Sequence, residues 1–133
     1  MRSLAGIWFG IAVTFGGMSW DAQWHAGGNA HGGTPPPPHF LLLAGLALLT
    51  ISSWRGAGRA EGRVQDYLRA VAIAGGVGLA GQVGDELLHM LGVESALVGL
   101  AHLAATLGFL VATISAVVAS IGMLRSEIGG STA

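Results

Sequence analysis

Apolar and polar positions along this chain are sorted into long blocks instead of alternating at helical or strand spacing. Four runs lack charge or nearly so: Ser3 to Trp20, which can continue as helix to His25; about His39 to Trp54; Ala70 to about Met90; and about Ser95 to Leu124. A helix crossing roughly 30 Å of hydrocarbon needs about 20 residues, so each run predicts a transmembrane helix. The fourth is longer than a perpendicular crossing requires, which implies tilt or extension beyond the bilayer. Gly27-Gly28 stops the first run, Thr34 and Pro35 to Pro38 predict a stiff polyproline segment, and Gly92 breaks the chain after the third run. Arg55 to Arg69 reads as a polar loop with four arginines, Glu61 and Asp66. The expected fold is an all-α integral membrane protein, a four-helix transmembrane bundle in a single domain, 1–133. Its parts would be a hairpin over about 1–54, a loop over 55–69, a second hairpin over about 70–126 and a short tail.

Composition supports lipid as the solvent. The 133 residues are 52% hydrophobic and 10% charged, whereas a soluble domain carries about 25% charged residues to wet its surface. A net charge of -1 gives no reason to expect nucleic acid, and the absence of cysteine removes disulfides and zinc–thiolate sites. Lysine is also absent, and Arg2, the four loop arginines and Arg125 all fall on one side of a four-span topology. By the positive-inside rule that side is cytoplasmic, which places both termini inside and the protein in the cytoplasmic (inner) membrane. Trp20 and Trp24 then sit at the outer interface and Trp54 at the inner one. The first run has no small-x-small cleavage site before Trp20-Asp21, so it is read as a retained span. Gly6 and Gly10, at GxxxG spacing, suit close helix contact.

The chemistry lies in a repeated pattern. Asp21 is followed by His25 and His39, with spacing Asp-x3-His-x13-His; Asp85 is followed by His89 and His102, with spacing Asp-x3-His-x12-His. The copies lie about 64 residues apart, and Gly17/Gly81, Gly45/Gly108 and Ser52/Ser115 extend the match, as a duplicated hairpin would. Two such hairpins would be tandem and related by a pseudo-twofold axis along the membrane normal. Residues i and i+4 of a helix share a face, about 6 Å apart along the axis. Each hairpin therefore offers one carboxylate and two imidazoles from two helices, the ligand set of a two-histidine, one-carboxylate metal site with open positions. Copper, zinc, iron and nickel all suit imidazole, and the carboxylate argues against a purely soft copper(I) site. The two sets are expected to face each other and share a centre near the outer face, because separate sites would set ionisable groups against lipid.

Blander readings stand beside this one. Any single Asp or His near a helix end can simply hydrogen-bond to water or headgroups, and a chain of such groups can relay protons or ions. A haem held by a histidine pair would leave both aspartates unexplained. His31, in a glycine-rich loop, is read as solvated; Glu86 is placed on a neighbouring face about 100° from Asp85. Glu94 is an entry ligand or a wet surface charge, and Met18 and Met90 are near enough to offer sulfur to copper(I), although packing is their default role.

Trp20-Asp21-Ala22-Gln23-Trp24-His25 followed by Pro37-Pro38-His39 resembles the metal site of the C subunit of the copper membrane monooxygenases, which oxidise methane or ammonia. That subunit carries an Asp-x3-His-x12-His set on neighbouring transmembrane helices, with a proline-containing turn before the last histidine. The Asp85 set has this spacing and the Asp21 set is one residue longer. The resemblance covers some 20 residues of each half and implies copper at Asp21, His25, His39, Asp85, His89 and His102. It also implies a monooxygenase-like oxidoreductase that depends on partner subunits.

The expected function is thus a membrane metal protein, with copper ahead of zinc or iron, that oxidises a small or lipid-soluble substrate. It would draw electrons from a partner, as another membrane subunit or within a homo-oligomer. The alternatives are copper handling without catalysis and an Asp/His proton or ion pathway. A carrier should expose a ligand path to the cytoplasmic side, and the inner halves of the spans hold no His, Asp or Glu, which argues against through-transport. The topology is testable because the chain has no cysteine of its own: a cysteine at position 32 should label from outside intact cells and one at position 62 should not. Outside labelling at position 62 would refute the orientation.

Overall fold

In the computed structural model, which describes residues 2–28, 35–93 and 96–130, the chain is all-helical. The described residues form four helices: α1 (Arg2–Ala26), α2 (Pro37–Ala57), α3 (Gly62–Met90) and α4 (Ala96–Gly130). Three of them, over Ser3–Ala26, Pro37–Ala57 and Ala96–Arg125, are long and apolar enough to cross a membrane. The third expected span falls short of that mark because α3 carries Gln82, Asp85, Glu86 and His89 among its glycines. Its polar groups are not spread around it. Leu68, Val71, Ala72, Gly75, Gly78, Gly81, Gln82, Asp85 and Glu86 are all buried, a stripe at helical spacing. Ile73, Val77, Val83 and Leu87 face outward.

The expected loop over 55–69 is much shorter in the structure. Helix α2 runs on to Ala57 and α3 already starts at Gly62, so the turn is four residues and the remaining charges are helical. Gly62 takes φ +60° there, a conformation cheap only for glycine. The polyproline segment is also shorter than expected, because Pro37 and Pro38 form the first turn of α2. Proline fits that position, since the first helical N–H groups have no intrahelical acceptor and the ring presets φ. The His39 N–H closes on Pro36 O at 3.0 Å, so the prolines fix His39 in the first turn.

Helix α1 packs on α2, α3 on α4, and α2 on α3, while α1 only touches α4. Glycine sets the spacing. A Cβ on Gly45 would lie 2.6 Å from Thr14 N, and one on Gly108 would fall on Gly78 N and 2.7 Å from Ala74 O. Gly17 lies against Leu42 in the same way that Gly81 lies against Ala105. Each of α1 and α3 ends on a left-handed glycine three residues after a histidine, Gly28 after His25 and Gly92 after His89. An apolar core of Ile7, Ile11, Leu46, Leu49, Leu68, Val71, Ala112, Ala116 and Ala119 fills the end of the bundle holding the α2–α3 turn. The outward surface carries Phe9, Phe15, Phe40, Ile73, Leu100 and Leu110, side chains suited to lipid.

Gly108→Ala should therefore destabilise the detergent-solubilised protein by about 1–3 kcal/mol, the usual cost of overpacking. Gly76, where a Cβ meets nothing within 4 Å, should accept alanine with no loss or a gain of up to about 1 kcal/mol. The measurement is the unfolding midpoint of each variant. Equal losses would show that the Gly108 contact does not set the helix spacing.

Candidate metal centre

At the end of the bundle opposite the apolar core, the ends of α1 and α3 and the starts of α2 and α4 come together. The i, i+4 pair on α1 puts His25 Nε2 3.5 Å from Asp21 Oδ1, and His39 from the first turn of α2 brings its Nε2 to 2.8 Å from the same oxygen. Donor atoms of Asp21, His25 and His39 all lie within 4.8 Å of one another, the group among the described residues with metal-binding spacing. Bonds of about 2.0–2.1 Å in a tetrahedral site separate neighbouring donors by roughly 3.3 Å. The 3.5 Å pair already has that separation, and the 2.8 Å pair must open by about half an ångström. The two imidazoles lie within 4.8 Å of each other, so the three residues could hold a metal once they close on it.

The second set is arranged around Asp85, whose side chain is 2% exposed. His89 Nε2 lies 3.6 Å from Asp85 Oδ1 and His102 Nδ1 lies 3.5 Å from Asp85 Oδ2. Asp85 Oδ1 is buried with no hydrogen-bond partner among the described residues. A buried carboxylate oxygen in that state is costly, and a cation between Asp85 and His89 would satisfy it. His102 departs from the inward-facing arrangement expected of it, with a side chain 64% exposed. It lies in the second turn of α4, about 9 Å along the axis from Ala96.

Glu86 departs from expectation more. The sequence places it on a neighbouring face about 100° from Asp85, yet it is buried and its Oε1 meets His39 Nδ1. Gln82 Nε2 donates to the same oxygen at 3.2 Å. The 100° step is real, but α3 lies between α2 and α4, so both faces are interior: Asp85 looks toward His102 of α4 and Glu86 toward His39 of α2. One signal was available in the sequence, a second ionisable group at the depth of Asp85 in an otherwise apolar run.

His39 is therefore held by Asp21 at Nε2 and Glu86 at Nδ1, with residues of three helices in one line. With Nδ1–H donated to Glu86, Nε2 presents its lone pair toward Asp21 and His25, the orientation that a carboxylate partner gives a metal-ligating imidazole. Between the two sets a small cavity of about 180 Å³, lined by Asp21, Met18, Gln82, His102 and Thr106, opens along the seam where α1 and α4 scarcely meet. Met90 is exposed at the end of α3. His31 and Glu94 lie outside the described residues.

Comparison with protein-family models, with curated proteins and with solved structures gives no match.

Because His39 bridges a buried carboxylate, Glu86, and a partly buried one, Asp21, His39→Ala should cost about 1–3 kcal/mol of stability, as leaving a buried acceptor without its partner does. His102→Ala, at an exposed position, should cost less than about 1 kcal/mol. Chemical unfolding of the metal-free protein reads both values, and comparable losses would contradict the bridging role of His39.

Proposed function

We propose that this protein is a membrane metal-binding protein whose first ion is held by Asp21 Oδ1, His25 Nε2 and His39 Nε2, with Asp85, His89 and His102 forming a second position. The observation that carries this reading is the approach of one carboxylate and two imidazoles from α1 and α2 to within 4.8 Å. The bundle is read as two tandem hairpins, α1–α2 and α3–α4, related by a pseudo-twofold axis. The Gly45–Thr14 and Gly108–Gly78 approaches, and the Gly28 and Gly92 helix ends, support that reading. Helix α3 is read as the fourth span, its polar stripe turned into protein where neighbouring helices replace lipid. Both termini are cytoplasmic and the metal end lies toward the outer face of the inner membrane, on the strength of the arginine distribution.

Copper is the metal proposed, from the resemblance to the monooxygenase C subunit and from a donor set of imidazole with one carboxylate. When bound, copper supplies one-electron chemistry toward dioxygen. The chain's own contribution is to hold and orient. Asp21 and His25 project from one helix face, His39 is steered by Glu86, and three protein ligands leave positions open for water or substrate. The favoured activity is oxidation of a small or lipid-soluble molecule, with electrons from a partner subunit. A second reading, copper reception without turnover, is supported by the exposure of His25 and His102, which gives the ion a route in from the surface. The packed apolar core in the other half of the bundle speaks against a proton or ion path through it.

Elemental analysis of the purified protein tests the assignment. Asp21→Ala and His25→Ala should lose the ion of the first set, and Asp85→Ala that of the second, while all three stay inserted. Glu86→Gln should keep the first ion but weaken it about 10–100-fold, the usual effect of removing a ligand's carboxylate partner. Gln23→Ala, on the exposed face of the same turn, should bind as the parent does. Metal content no higher in the parent than in a combined Asp21→Ala, Asp85→Ala variant would overturn the reading.

A further inference from the structure

A cavity of about 810 Å³ lies at the opposite end of the bundle, far from the metal ligands. That is within the ~300–1,000 Å³ range of small-molecule sites. Its polar lining comes from Arg55 and Arg59 at the end of α2, Glu61 before α3, and the hydroxyl-bearing Ser3 and Ser52. Leu4, Leu68 and Met123 line its apolar part.

The charges in this cavity are not spent on one another. Among the described residues, neither arginine nor Glu61 forms an ion pair, although all three line the same space. Arg59 Nη1 donates to Arg55 O at 3.1 Å, which leaves most of its five N–H donors for other acceptors. Glu61 occupies the N-cap position of α3 but its side chain makes no capping hydrogen bond. The cavity thus holds two cations and one anion, not paired with one another, in a lining that also includes hydroxyls and apolar side chains. Trp54, exposed beside Arg55, marks this level as a membrane interface.

We infer that this cavity binds the headgroup of an aminophospholipid, its phosphate on Arg55 and Arg59 and its ammonium on Glu61, with acyl carbon against Leu4, Leu68 and Met123. A basic recess between transmembrane helices at the interface is a recognised kind of headgroup site. Here the separated carboxylate adds a place for a primary ammonium, which a quaternary choline cannot fill by hydrogen bonding and a glycerol headgroup does not carry. The inference rests on the helices lying in a bilayer and is independent of the metal centre.

The test is native mass spectrometry of protein released from vesicles of equal parts phosphatidylethanolamine, phosphatidylcholine and phosphatidylglycerol. Phosphatidylethanolamine should be retained over phosphatidylcholine by about fivefold or more. Arg55→Gln with Arg59→Gln should abolish retention, and the corresponding pair of lysine substitutions should restore much of it. Glu61→Gln should keep phospholipid bound but lose the preference for ethanolamine over choline. Arg69→Gln, outside the cavity and facing Asp66 at 4.0 Å, should behave as the parent. Equal retention of the three lipids, preference for phosphatidylglycerol, or a preference that survives loss of both arginines would overturn the assignment. Binding of free phosphoethanolamine in detergent as tightly as the lipid would assign the site to a soluble solute and equally defeat it. Metal content should be the same in every one of these variants.

Discussion

One imidazole organises the polar end of this bundle. His39 lies between Asp21 of α1 and Glu86 of α3, and a neutral imidazole has only one N–H to offer two carboxylates. A cation at Nε2, on the side of Asp21 and His25, would complete the line, because a carboxylate left unpaired in a low-dielectric interior is expensive. That demand for a partner is structural before it is functional. It ties α1, α2 and α3 together at the end of the bundle that lacks the apolar core, so the fold and the candidate site depend on the same imidazole.

The rest of the architecture makes that demand tolerable. Ile7, Leu46, Leu49, Leu68 and Val71 concentrate apolar packing at the other end, so the polar end need not provide the hydrophobic contribution. Gly17 against Leu42 and Gly81 against Ala105 let the helix backbones approach just below the Asp and His residues. Close backbones shorten the reach between side chains on neighbouring helices, and short side chains such as Asp can then meet a histidine across the gap. Small residues there serve packing in lipid and ligand convergence at once.

Much of this was readable from residue order. Charge-free runs of the right length located α1, α2 and α4, and i, i+4 spacing put Asp21 with His25 because helix geometry alone dictates it. The convergence of His39 on that pair followed from a short connection after Gly28. What was not readable depended on neighbours. The polarity of α3 looked affordable as a span by length, yet Gln82, Asp85, Glu86 and His89 lower its apolar character below that of the other three. Glu86 falls on a neighbouring face from Asp85 by helix geometry alone. An angular offset says which face a residue takes, and only the packing of α2 and α4 on either side says that both faces are interior. His102 shows the converse, since its place within an apolar run did not tell which way α4 turns it.

The proposed duplication sharpens the difference between the two halves. If α3–α4 repeats α1–α2, the position matching Glu86 in the first hairpin is Ala22, and the position matching Gln82 is Met18. The carboxylate and amide that steer His39 therefore come from the second copy and act on the first, and no equivalent groups return the favour to His102. One set has a buried histidine fixed at both ring nitrogens; the other has a buried aspartate and an exposed histidine. Two sites built from the same three residues then differ in rigidity, and rigidity governs how firmly a ligand set holds an ion. Under the proposed metal reading, such one-sided support would give the two sets unequal roles, an ion held more firmly at Asp21, His25 and His39 than at Asp85, His89 and His102. The cavity along the α1–α4 seam, touching Asp21 on one side and His102 on the other, is where those two roles would meet.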